Sequence, residues 1–224
     1  MKSLRRYGHT SLLDILLILA IAAVVYLPNL SQATIYRDDW YYVMDRLIGG
    51  PGVFQEMFSI DRPARGLLFE AYFQLFGIQP FPYHLSSFLW RVAGGVAALW
   101  LFRQLWPNQR LATLMMVLLF TLYPGYLRWM EGFENQPRIL SSFLQALSIA
   151  LTLHAIRTTQ TISKILAWIA SILTGWAYIA LVDFSFGMEA FRFLCVFLLV
   201  SREQQLLPFL KRSIVALRAW GIAA

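Results

Sequence analysis

Two short charged clusters stand close together in an otherwise apolar chain. The first is Tyr36-Arg37-Asp38-Asp39-Trp40-Tyr41-Tyr42 and the second is Ile60-Asp61-Arg62-Pro63-Ala64-Arg65. Adjacent carboxylates such as Asp38 and Asp39 repel, which raises one pKa unless a cation or metal intervenes. A carboxylate so placed can take a proton from a hydroxyl. Arg62 and Arg65 suit the opposite task, because a guanidinium fork grips phosphate through two parallel hydrogen bonds. An acidic cluster beside a basic one thus suits a hydroxyl as nucleophile and a lipid phosphate as leaving group. The plainer alternative is that Asp38 caps a helix and Asp39 is solvated.

The elements that must position these clusters are membrane helices. The chain has 224 residues, of which 58% are hydrophobic and 14% charged, with mean hydropathy +0.57. Soluble domains carry about 25% charged residues, so the composition argues against an ordinary water-soluble enzyme. Nineteen Lys+Arg against twelve Asp+Glu leave a net charge of +7. No basic run is interleaved with aromatics, so this surplus reads as membrane topology and no nucleic-acid partner is expected. The single Cys195 excludes an intramolecular disulfide framework and a cysteine-based zinc site, and His9, His84 and His154 are too scattered for a metal cluster.

A bilayer-crossing helix needs about 20 mostly apolar residues. Windows near that length fall at 11–27, 85–106, 111–126, 139–156 and 165–182; a shorter one covers 184–200, and another begins near Ser213 and runs into the chain end. Cytoplasmic connections are enriched in Lys and Arg. Here every second connection is basic: Lys2, Arg5 and Arg6; Arg103 and Arg110; Arg157 and Lys164; Arg202, Lys211 and Arg212. The others hold nearly all the carboxylates, from Asp38, Asp39, Asp45, Glu56 and Asp61 through Glu131 and Glu134 to Asp183 and Glu189. This predicts a cytoplasmic N-terminus and an extracytoplasmic loop over 28–84. The first apolar stretch is long for a cleaved signal peptide, although Ser31-Gln32-Ala33 fits a cleavage pattern, so it is expected to be retained as an anchor.

The segment 66–77 is apolar, but it has twelve residues, contains Glu70 and Gln74, and follows Pro63. Counting it as a span would put every later basic connection outside, so it reads as an interfacial or re-entrant helix. Earlier in the loop, Trp40, Val43, Met44 and Leu47 recur at i, i+3, i+4 and i+7, one apolar stripe of a short helix. Gly49-Gly50-Pro51-Gly52 stops it. A helix lying on the membrane surface with its acidic end over the spans is the expected arrangement. The fold class is therefore an all-α polytopic transmembrane bundle, a single membrane domain over 1–224 with six to seven spans. Its extracytoplasmic loop carries interfacial helices and the candidate active site.

The residue order resembles a known family. One span precedes an outer loop opening with the acidic pair Asp38-Asp39. The acidic–basic–Pro turn Asp61-Arg62-Pro63, an apolar helix ending in Phe76-Gly77, and Arg91 early in the next span follow. This is similar to the GT-C membrane glycosyltransferases, in particular the protein mannosyltransferase and aminoarabinose transferase branch. The resemblance implies an inverting transferase in the cell (plasma or inner) membrane that moves a sugar from a polyprenyl-phosphate carrier to an acceptor protein, glycan or glycolipid on the outer face. By the same resemblance Asp38 is the general base, Asp39 or Asp61 orients the acceptor or a divalent cation (Mg²⁺ or Mn²⁺), and Arg62 with Arg65 holds the donor phosphate. Where the family has an Asp before its fourth span, this chain reads Glu131-Gly132-Phe133-Glu134, so Glu134 or Glu131 would substitute. The family runs to several hundred residues, so this chain is expected to be a truncated piece of the fold.

Asp183, Glu189 and Arg192 sit at or inside an apolar boundary, as further substrate or metal candidates. Glu189 and Arg192 stand at i, i+3, so a local ion pair explains them equally well. Arg91 is expected to face the protein interior or reach the outer interface, Asp14 to stay at the cytoplasmic interface, and Arg128 and Arg138 to flank the second outer loop. Two competing classes remain: a transporter or flippase for a lipid-linked or anionic solute, which would place ionisable groups near mid-membrane, and a non-catalytic membrane subunit.

Overall fold

The computed structural model describes residues 12–30, 33–123 and 132–223, and among these the chain is all helix and turn, without a strand. In order, the elements are α1 (Leu12–Leu30), α2 (Asp39–Gly49), α3 (Val53–Met57), α4 (Pro63–Phe76), α5 (Pro80–Leu105), α6 (Arg110–Thr121), α7 (Gln136–Arg157), α8 (Thr161–Leu181), a 3-10 turn (Asp183–Gly187), α9 (Met188–Glu203) and α10 (Phe209–Ala223). Among the described residues, four segments are long and apolar enough to cross a membrane: α5, α7, α8, and the turn with α9 over Asp183–Glu203. The apolar helices Leu12–Pro28 and Arg110–Thr121 are shorter. The expected window at 111–126 thus yields a helix of 12 residues, about 18 Å long. Pro124 stands two residues past its last cap, where a helical ladder cannot be carried on. Lys2, Arg5, Arg6, His9, Ser31, Gln32, Arg128 and Glu131 lie outside the described residues.

α7 is the hub. Small hydroxyl residues let its backbone come close to α8: the Ser148 hydroxyl donates to the Ser171 carbonyl at 2.6 Å, and the Ser171 hydroxyl donates back to the Ser148 carbonyl at 3.0 Å. The fully buried Gln136 fastens its first turn to α5, donating to the Tyr83 carbonyl and the Ser87 hydroxyl while accepting from Ser86.

The charged connections sort to two ends. At one end, Asp14 takes Arg103 at 2.8 Å and Arg110 at 3.0 Å. Arg157 there pairs with Glu203 and donates to the Gln104 carbonyl, both at 2.7 Å, and Arg202 donates to the Leu105 carbonyl. The other end carries α2, α3 and α4. Both ends of α4 return to it: Arg62, just before the helix, faces Asp183 at 3.6 Å, and the Tyr83 hydroxyl donates to the carbonyl of the terminal Gly77 at 2.9 Å. α4 therefore does not cross the bundle.

The three loop helices share one aromatic core. Phe54, Phe58, Phe69, Tyr83 and Phe133 are buried together, with Phe69 and Phe133 at 4.5 Å between ring centroids. A bidentate pair closes the rim, where Arg46 donates to both oxygens of Glu70 at 2.9 and 2.8 Å. Those bonds hold the Glu70 carboxyl below the usual glutamate range, against the opposing effect of burial. In α2, Asp39 and Arg46 face the protein and Asp45 faces outward, while Trp40, Met44, Leu47 and Ile48 are exposed and only Val43 of the apolar stripe is buried. Such a face is what a helix lying in the headgroup region presents to lipid.

α3 and α4 touch backbone to backbone at Gly66, where a Cβ would stand 2.5 Å from the Phe54 carbonyl oxygen. No rotamer relieves a clash with backbone. Gly66→Ala is expected to cost about 1–3 kcal/mol and to loosen the loop. Limited proteolysis within 33–79 should speed up while the helical circular dichroism of the spans persists.

Candidate active site

The site begins with a left-handed residue. Arg37 has φ +46°, which swings the chain into α2. Asp38 then occupies the N-cap position with helical φ −66° and ψ −22°, and makes no side-chain cap bond. An N-cap side chain reaches the free amides from extended backbone, so the capping alternative for Asp38 is overturned. Its carboxylate is exposed, with no hydrogen bond or ion pair among the described residues.

Asp39 is the opposite case. It is 2% exposed, and its Oδ1 accepts the backbone N–H of Phe133 at 3.1 Å and of Glu134 at 2.7 Å. The expectation of a solvated Asp39 is corrected: the residue fastens the first loop to the second. The pair that reads as two equivalent carboxylates consists of one structural and one open group.

Arg65 is also buried, at 5% exposure, and its guanidinium lies against the rings of Phe58, Phe69 and Tyr42 at 4.9, 5.1 and 5.8 Å. It donates to the Tyr42 hydroxyl at 3.3 Å and pairs with Glu134 at 3.7 Å. Burial pulls its pKa down, opposed by Tyr42 and Glu134. Burial likewise pushes the Tyr42 phenol up, with Asp38 and Glu134 adding to the shift and Arg65 and Arg138 opposing it. Tyr42 is therefore a neutral donor at neutral pH, one helical turn after Asp38 on the same face. Glu134, 8% exposed, bridges Arg65 and Arg138, the latter at 2.9 Å. Asp38, Tyr42, Arg65, Glu134 and Arg138 thus form one electrostatic group.

Arg62 remains near the surface. Its Nε lies 3.4 Å from Asp61 and 3.6 Å from Asp183, with the guanidinium side chain 30% exposed and the two carboxylates more than half exposed. The second cluster therefore splits as the first does: Arg62 is presented outward and Arg65 is locked inside.

Glu189 and Arg192 form the ion pair expected from their spacing, at 3.1 Å, and the pair is enclosed. Arg192 is 0% exposed and donates to the hydroxyls of Ser148, Thr152 and Ser171 and to the Ala223 carbonyl. Glu189 accepts from Tyr178 and, at 3.2 Å, from Trp220. This places both residues in the bundle interior, apart from the loop cluster.

Among the described residues, no three His, Cys, Asp or Glu side chains are grouped to hold a metal ion. Mg²⁺ or Mn²⁺ would meet no preformed protein cage among them, and the buried Asp39 already accepts two backbone amides. Sequence reasoning missed Tyr42, although its i, i+4 spacing from Asp38 was legible. It also left Glu70 without a partner, because Arg46 reaches it only through the fold. Comparison of the chain with protein-family models, curated proteins and solved structures finds no match.

If Asp39 is the clamp, Asp39→Ala strands two buried amides. Hydrogen bonds to a charged group are worth about 1.5–3 kcal/mol each, so thermal unfolding of the purified protein should drop by several degrees. Asp38→Ala should leave it unchanged.

Proposed function

We propose that the chain is a membrane glycosyltransferase of the GT-C type, or a part of one, which transfers a sugar from a polyprenyl-phosphate donor to a hydroxyl-bearing acceptor at the outer face of the cell membrane. One observation carries the reading. An unengaged carboxylate, Asp38, and a surface guanidinium, Arg62, lie at the same end of the bundle: Asp38 opens the helix whose Tyr42 accepts from Arg65, and Arg62 stands three residues before Arg65 at the start of α4. That end is the one opposite the basic connections, which by the positive-inside rule is extracytoplasmic.

In the reaction the acceptor oxygen attacks the anomeric carbon, and the bond from that carbon to the phosphate oxygen breaks with its electron pair leaving on the lipid phosphate. Asp38 takes the acceptor proton. Arg62, released from its loose contacts with Asp61 and Asp183, meets the growing charge on the phosphate. Arg65 acts from beneath, fixing the Tyr42 hydroxyl by donating to it. Glu134 fixes Arg65, and Asp39 fixes the backbone of Glu134. Inversion at the anomeric carbon follows from the single displacement.

General-base catalysis contributes about 10²–10⁴-fold. In vesicles supplied with a polyprenyl-phosphate sugar, Asp38→Asn is expected to lower kcat by that factor with insertion and folding intact, and normal turnover by this variant overturns the assignment. Sidedness is checked separately: a cysteine introduced as Arg62→Cys should react with an impermeant maleimide from outside intact cells, since the native Cys195 is buried.

The transporter reading gains one observation. Arg192 meets Ser171 midway along α8, so an ionisable pair does sit deep in the bundle. Uptake of a labelled lipid-linked sugar into vesicles, lost in Glu189→Gln but retained in Asp38→Asn, would favour that reading over transfer.

A further inference from the structure

Over 132–139 every residue is buried except Arg138, whose side chain is 47% exposed. The backbone beneath it is fixed from two sides. Asp39 accepts the amides of Phe133 and Glu134, and the buried Gln136 is tied to Tyr83 and Ser87 of α5. The guanidinium is itself oriented by two acceptors, Asn135 Oδ1 at 3.1 Å and Glu134 Oε1 at 2.9 Å. A guanidinium carries five N–H groups, so among the described residues three of them remain open.

The charges around Arg138 do not balance. The Glu134 oxygen that accepts from it also faces Arg65, at 3.7 Å. Among the described residues Glu134 is the one carboxylate that contacts either guanidinium, so two positive charges share one negative. Asp38, in the same group, forms an ion pair with neither. Arg65 is buried and its Nε has no hydrogen-bond partner among the described residues. The uncompensated charge therefore reaches the surface at Arg138.

We propose that Arg138 is the anchor of a phosphate-binding site, separate from Arg62, whose open N–H groups take the phosphate oxygens. A guanidinium fork matches an oxyanion, and such charge-assisted bonds are the stronger ones. The phosphate supplies the negative charge that Glu134 leaves short. Because Glu134 and Asn135 already orient the side chain, binding orders little that is not ordered beforehand. Arg62 offers no such deficit, since two carboxylates flank it. The phosphate belongs to a lipid headgroup or to a soluble compound, and the site does not depend on the transfer reaction proposed above.

The test uses the full chain in neutral detergent, titrated with inorganic phosphate, with dodecyl phosphate and with dodecyl phosphocholine as the zwitterionic control. Apparent affinity is taken from the rise of the unfolding midpoint with ligand concentration. The wild type is expected to show saturable stabilisation that Arg138→Gln weakens by about tenfold or more. Arg138→Lys should retain part of it, keeping the charge without the fork. Glu134→Gln should bind phosphate more tightly. It breaks the same ion pair as Arg138→Gln, so opposite signs in the two variants separate an anion site from a merely structural pair. Dodecyl phosphate binding about tenfold more tightly than inorganic phosphate assigns the site to a lipid headgroup; equal affinities assign it to a soluble phosphate. Absence of saturable stabilisation by either probe overturns the proposal, as does weaker binding in Glu134→Gln. Affinity unchanged in Arg138→Gln but lost in Arg62→Gln also overturns it, while leaving the donor-phosphate role of Arg62 standing. Should Glu134→Gln fail to fold, the two Arg138 variants decide, because an exposed side chain can be replaced without disturbing the core.

Discussion

The end of the bundle that carries α2, α3 and α4 depends on one buried carboxylate. Asp39 has given up water for two backbone amides of a loop nearly a hundred residues away in sequence, and in a low-dielectric setting such charge-assisted bonds are among the stronger polar contacts available. The contact fixes the rotation of α2. Once Asp39 points inward, Asp38, one position earlier, must point elsewhere, and Tyr42 is set one turn along from it. The amides that Asp39 holds belong to Phe133 and Glu134. Phe133 closes the aromatic core, and Glu134 anchors the guanidinium that holds the Tyr42 hydroxyl. A single clamp thereby arranges an acid, a phenol and two cations.

The same physics sorts the arginines. A guanidinium removed from water needs an anion, a carbonyl or an aromatic face in its place. Arg65, Arg103 and Arg192 have these: an aromatic cage with Glu134, the Asp14 carboxylate, and Glu189 with three hydroxyls. Arg62 lacks such an enclosure, and its contacts with Asp61 and Asp183 are long and open to solvent, the kind worth least. Rearrangement there costs little, as the proposed exchange of a carboxylate for a phosphate would require. In a buried network, by contrast, removing one partner strands a charge.

Much of the architecture was legible in composition and period. Apolar runs, basic connections in alternation and the short helix at 66–77 are local or additive properties, so the helices and their sorting to two ends could be read directly. The apolar stripe of α2 was legible too, although the fold turns Trp40, Met44 and Leu47 outward and buries Val43. The weaker reading was the length of α6, where an apolar run continues beyond the residue at which the helix stops.

What the residues could not disclose alone is which charge meets which. Asp38 and Asp39 are chemically identical neighbours, and Arg62 and Arg65 nearly so. Composition and spacing determined that acids and guanidiniums would share one connection between apolar helices. Only the tertiary structure decided that one of each is a fastening and the other is open, because burial and partnership are set by contacts between segments far apart in the chain. The pairing of Arg46 with Glu70 has the same origin: it does not exist until α2 and α4 pack.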